Sequence, residues 1–240
     1  MGTQRIPPEF RFTEEILREL IDASIKNAEQ LLVEAKLILG NKYLPRVYFL
    51  SVAAIEETGK AYLCFESTTR NLSDSAVTSN IIKSIENHSN KINAAFHTSI
   101  LTSEDPREAI QTAVDLMIDL KNGREPSMYT DINYIDSKIY TPFSTISERA
   151  AKDSVRLAEQ CYLNTKHYID NSKPTEKSKV DDAVFGLKKK TFAKILELED
   201  FWWFLIENME ANKLKHNEAI VEYNKEYLSK NKLFRPENDK

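Results

Sequence analysis

Glu56, Glu57 and Lys60 fall within one turn of the segment Ser51–Ala61, and His88 and Lys91 stand three apart in the next long segment. A carboxylate, an imidazole and a cation at helical spacing are the material of proton transfer and of phosphate recognition. Heptad counting puts Val47, Leu50, Ala54, Glu57, Ala61 and Cys64 on one stripe. Glu57 therefore takes a core-facing place, where a carboxylate is costly unless paired. The following stripe, Ile81, Ile85, His88, Ile92 and Ala95, sets a titratable imidazole on the apolar face of a neighbouring helix. Glu57 with Lys60, and His88 with Lys91, can each touch locally. Glu56 lies one residue off the stripe and reads as a surface or interface ion-pair partner. Gly59 permits close helix approach, since glycine inside a helix costs about 1 kcal/mol against alanine. A buried polar network joining the two helices would give the same pattern with no chemistry at all.

Long helices are needed to hold such residues, and the composition supplies them. Of 240 residues, 41% are hydrophobic, 29% are charged and only 5 are glycine, which suits an all-α fold with a real core. A net charge of −4 leaves no global basic field, so any nucleic-acid binding must come from a local patch, and no DNA partner is expected. Cys64 and Cys161 sit on apolar helical stripes, and neither a signal peptide nor a long apolar run is evident. A reduced, cytoplasmic protein with no membrane partner is the expectation. Bundle di-metal sites use a Glu-x-x-His spacing, but Ile85 precedes His88 by three, so neither a metal nor a cofactor is expected.

The first helix is expected from Thr13, as N-cap, to about Leu39, with Leu17, Leu20, Ser24, Leu31, Ala35 and Ile38 inward. Gly40-Asn41 ends it, and Pro45 suits the first turn of a second helix reaching about Glu66. A third covers about Ala76 to Leu101. Asp105-Pro106-Arg107-Glu108 reads as a capping box opening a fourth, with Ile110, Ala113, Met117 and Leu120 inward and Gly123 as its stop. Residues 124–143 lose the helical period and carry Pro126, Pro142 and four aromatic rings, which reads as an ordered loop with short extended pieces; a loop of that length in a compact bundle is usually either functional or disordered. A fifth helix runs from about Thr145 to Tyr168 with Ala151, Val155, Ala158, Tyr162 and Thr165 inward. Residues 171–179, with Pro174, form a linker to a helical extension over 180–240. There Phe192, Ile195, Leu196, Trp202, Trp203, Ile206 and Met209 make an apolar helix too short for a core of its own, expected to dock on the bundle or to form a dimer surface.

The order of these features carries a resemblance. A helix closing on Gly40 is followed by Ala53-Ala54-Ile55-Glu56-Glu57-Thr58-Gly59-Lys60-Ala61, by His88-Ser89-Asn90-Lys91, by Leu120-Lys121-Asn122-Gly123-Arg124, by Met128-Tyr129-Thr130-Asp131 and by Pro142. This resembles the AbiV family of abortive infection proteins, whose bundle is similar to the HEPN superfamily. The resemblance implies an up-and-down bundle of about five helices over residues 10–170. It further implies a phage-defence role in arresting the infected cell, a site that cleaves or binds RNA, and a homodimer with the site at its seam.

HEPN ribonucleases carry an arginine followed at four to six residues by histidine, whereas here Arg124 is followed at that spacing by Tyr129 and the loop holds no histidine. Metal-independent RNA cleavage needs a base for the ribose 2′-hydroxyl and a cation for the phosphorane, and tyrosine, with a pKa of about 10, is a poor base at neutral pH. His88 would replace it if the third helix faces the loop, giving a composite site of Glu57, Lys60, His88, Lys91, Arg124 and Tyr129. Tyr129 and Asp131 either contact ligand or pin the loop by hydrogen bonds. Two readings follow. One is a ribonuclease acting on tRNA or rRNA; the other is a non-catalytic interaction protein that blocks the translation machinery or is triggered by a phage protein.

Overall fold

Thr13 opens α1 (Glu14–Leu39) by accepting the Ile16 amide on its hydroxyl at 3.1 Å. Glu14 and Glu15 complement the dipole in the first turn. After the turn at Gly40, Pro45 lies in the first turn of α2 (Leu44–Ser67), where a missing amide proton costs nothing. The computed structural model describes residues 10–101, 106–135 and 137–236, with the side chains of 101, 106–109, 111, 112 and 133 outside that description. The expected cap at Asp105 and the capping-box glutamate at Glu108 fall outside it.

The third predicted helix is two, α3 (Ser75–Glu86) and α4 (His88–Leu101). Asn87 breaks it: its side-chain oxygen accepts the Asn90 amide at 2.9 Å, and asparagine competes for backbone donors better as a cap than inside a helix. The next helix, α5 (Pro106–Arg124), runs through Gly123 instead of stopping there. Gly123 serves packing, because a Cβ at that position would overlap the Tyr48 hydroxyl. The following loop holds an antiparallel hairpin of β1 (Asp131–Asn133) and β2 (Lys138–Tyr140), with Ile132 opposite Ile139. A short α6 (Pro142–Thr145) is capped by Thr141, and α7 (Glu148–Asn171) by Ser147.

The helical unit of Thr13–Thr68 and Ile81–Pro174 is organised around α2. Helices α1, α4 and α7 surround α2, and α5 lies against α4 and α2. Small residues let the backbones approach: Ala28 and Ala35 of α1, Ala54 of α2, Ala95 of α4, and Ala151 and Ala158 of α7 share one core with Val52, Ile55, Ile92, Phe96 and Val155. Each large aliphatic side chain buried there stabilises the fold by about 1.5–3 kcal/mol. Ile110, expected inward on α5, is 48% exposed, while Ala113 and Leu120 are buried.

The second unit comprises residues 10–12, Thr69–Asn80 and 175–236. Its C-terminal helices are α8 (Lys179–Gly186), α9 (Lys189–Glu197), α10 (Glu199–Glu210) and α11 (His216–Glu226). The apolar segment, expected to need a packing partner, finds it in its own sequence neighbours: Ile195 of α9, Phe201, Phe204 and Leu205 of α10, and Ala219, Ile220 and Tyr223 of α11 share one core. Tyr223 donates its hydroxyl to Asp200 at 2.6 Å, which also accepts the Phe234 amide. No helix of the described residues is long and apolar enough to cross a membrane.

Candidate functional site

Because α2 has neighbours on nearly every side, it has no broad solvent face, and Glu56 is buried at 5% exposure while Glu57 reaches partly to the surface. This reverses the expected roles of the two glutamates. One Glu56 oxygen, Oε2, accepts from His88 Nδ1 at 2.6 Å and from Lys91 Nζ at 3.0 Å. The other, Oε1, accepts from Arg124 Nε at 2.7 Å. Three donors from α4 and α5 thus converge on one carboxylate of α2. Burial pushes the Glu56 carboxyl up, but the hydrogen bonds and charges of His88 and Lys91 outweigh it and hold the group below its ordinary value of 4.5.

The partners differ in exposure. Lys91 is covered, with 8% of its side chain exposed, and Arg124 nearly so at 17%, whereas His88 is half in solvent at 54%. The expectation that His88 faces the apolar core is therefore corrected: the helix break at Asn87 places it at the first position of α4, turned outward at the rim. An ionised carboxylate only accepts, so His88 Nδ1 carries the proton shared with Glu56, and Nε2 is the nitrogen turned away from that bond. Two cations, Lys91 and Arg124, face one buried carboxylate, an excess of one positive charge that exposed Glu125 offsets by accepting from Arg124 Nη1 at 2.7 Å. A centre of this kind orients an imidazole and holds two cations beside it, the residue types of a base acting next to a phosphate.

The remaining expected site residues do not join this centre. Glu57 pairs instead with Lys60 at 2.5 Å along α2. Tyr129 is 60% exposed and, among the described residues, its hydroxyl makes no bond to Glu56, His88, Lys91 or Arg124. It lines a small cavity with Asp131, whose carboxylate accepts the Ile132 amide at 2.8 Å. The notable omission from the sequence reading is the central place of Glu56. An apolar pattern running all round α2 was the signal that a single-stripe count could not use. Among the described residues no three histidine, cysteine, aspartate or glutamate side chains are arranged to hold a metal ion.

Gly59 positions the centre. A Cβ there would overlap the Lys91 carbonyl and crowd the Ala95 amide, so α2 and α4 touch backbone to backbone one turn after Glu56. His97 also finds a partner across these helices, in the Tyr62 hydroxyl at 2.6 Å.

No curated protein and no solved structure matches the chain. A family model described as AbiV, of the HEPN type, matches residues 16–163, from the first turn of α1 into α7, and this span holds every member of the Glu56 centre. With more than half of its length matched, in a helical bundle of the expected class, the chain belongs to the AbiV family of HEPN-like abortive infection proteins, which act in phage defence.

Proposed function

We propose that this protein arrests the infected cell by acting on RNA, through metal-independent cleavage with His88 as general base. The observation that carries the reading is the His88–Glu56 bond at 2.6 Å on a side chain that is 54% exposed, because it orients a half-exposed imidazole through Nδ1. In this mechanism Nε2 takes the proton of a ribose 2′-hydroxyl, and that oxygen attacks the adjacent phosphorus. The 5′-oxygen leaves, takes a proton from water, and a 2′,3′-cyclic phosphate remains. Glu56 stabilises the imidazolium as it forms, and Arg124 and Lys91 offset charge on the phosphorane. A homodimer with this centre at its seam belongs to the same reading; a monomeric mass independent of concentration in light scattering would remove it.

The test is cleavage of bulk tRNA and ribosomal RNA by purified protein in chelator, beside His88→Ala and Arg124→Ala. Cyclic-phosphate ends, lost in both folded variants, support the reading. The low exposure of Lys91 and Arg124 favours a second one, in which the centre only locks α4 and α5 to α2 and arrest comes from binding the translation machinery or a phage protein. Intact RNA in the presence of infected-cell extract would decide for that second reading.

A further inference from the structure

We infer that the cavity beside the Glu56 centre is a nucleobase subsite selective for guanine, an inference that rests on the RNA reading above. The cavity, about 240 Å³, is lined by Glu125, Pro126, Tyr129, Asp131, Tyr140 and Thr145. It is smaller than the roughly 300–1,000 Å³ of sites for drug-sized ligands, and suits a single base. It also adjoins the centre directly. Arg124 bonds Glu56 through Nε and Glu125 through Nη1, both at 2.7 Å, so one guanidinium touches the buried carboxylate and the cavity wall.

The lining chemistry specifies the ligand. Tyrosine faces are stacking platforms for unpaired bases, and Tyr129 is 60% exposed. Glu125 and Asp131 contribute carboxylates, which only accept hydrogen bonds and so reward a base edge rich in donors. Guanine presents N1–H and the N2 amino group side by side, two donors matching the two oxygens of one carboxylate. Adenine and cytosine set one amino group beside a ring acceptor, and uracil flanks its N3–H with two carbonyls; each would leave an acceptor facing a carboxylate. Asp131 takes the Ile132 amide on Oδ1 at 2.8 Å, and Glu125 takes Arg124 on Oε1, which orients both carboxylates before a base arrives; each engaged oxygen keeps a second lone pair for a base donor.

Isothermal titration of the full chain with 2′-O-methyl dinucleotides, carrying G, A, C or U at one position and U at the other, tests this without any cleavage. The guanine dinucleotide is expected to bind roughly tenfold or more tighter than the other three. Tyr129→Ala should weaken it roughly tenfold, Tyr129→Phe should retain it, and Asp131→Asn should erase the preference for guanine while leaving weak stacking. Equal binding of all four, no binding of any, or an unchanged dissociation constant in folded Tyr129→Ala overturns the subsite. The two ideas fail separately: RNA cut without base preference removes the subsite and leaves the His88 chemistry, while guanine-selective binding without cleavage removes the chemistry and leaves the subsite.

Discussion

Gly59 meets the carbonyl of Lys91 with no room for a methyl group between them. This contact fixes how close α2 comes to α4, and Glu56, three residues earlier on the same face, reaches Lys91 and His88 because of it. Gly59→Ala would gain about 1 kcal/mol in helix propensity. Overpacking against backbone costs typically about 1–3 kcal/mol and cannot be relieved by a rotamer change. A lower urea midpoint is the expected net result and, on the proposed RNA chemistry, weaker cleavage as α4 is pushed away.

Glu56→Ala strands Lys91 and leaves Arg124 with the exposed Glu125 as its acidic partner. Lys91 and Arg124 lose the carboxylate they share, and removing one partner of a buried ion pair costs about 3–5 kcal/mol. Chemical denaturation should show this loss, and a variant within about 1 kcal/mol of wild type would contradict the role of Glu56 as the anchor of the three helices.

Acid should erase the same contribution. The folded Glu56 carboxyl titrates below its ordinary 4.5, so its ionised form is favoured by folding. The stability it confers is complete above about 4.5 and is lost as pH falls through the depressed folded value. Wild type and Glu56→Gln should therefore differ most in urea midpoint at neutral pH and converge in acid. A gap that widens as pH falls would show that the sign is wrong.

His88→Ala separates stability from activity. Its ring is half exposed, and exposed pairs contribute about 0–1 kcal/mol, so thermal unfolding should barely move. The proposed RNA cleavage, in contrast, should fall by roughly 10²–10⁴, the usual contribution of a general base. Equal losses in both would mark His88 as a structural residue.

The thiols should be inert while the protein is folded. Burial pushes Cys64 and Cys161 up to about 12, which leaves almost no thiolate at neutral or mildly alkaline pH. A thiol-reactive dye should label the two cysteines only after denaturant is added, and rapid labelling of native protein would refute this.

Local signals were legible and non-local ones were not. Thr13 and Pro45 announced helix starts through capping and fixed backbone geometry, and both helices begin where those residues put them. The inward residues of α7, Ala151, Val155, Ala158, Tyr162 and Thr165, followed from a helix with one wet side. Glu56 and Glu57 were exchanged because α2 has no wet side of that kind, and which neighbour covers which face depends on packing from residues far along the chain. Asn87 could have been read as a cap, but the apolar pattern on either side of it masked the break. In the C-terminal segment, Phe201 and Phe204 find Tyr223 through the turn between α10 and α11, a partner that the helix considered alone does not reveal.

Glu56 and Arg124 are 68 positions apart, and that separation sets when the centre can come into being. On a ribosome the carboxylate is made first and waits for its guanidinium until the last residue of α5 has been added. The core around α2 then waits longer, for Ala151 to Cys161 of α7. Nascent chains and fragments that stop short of Arg124 therefore carry no assembled centre, and any activity that depends on it is closed to them.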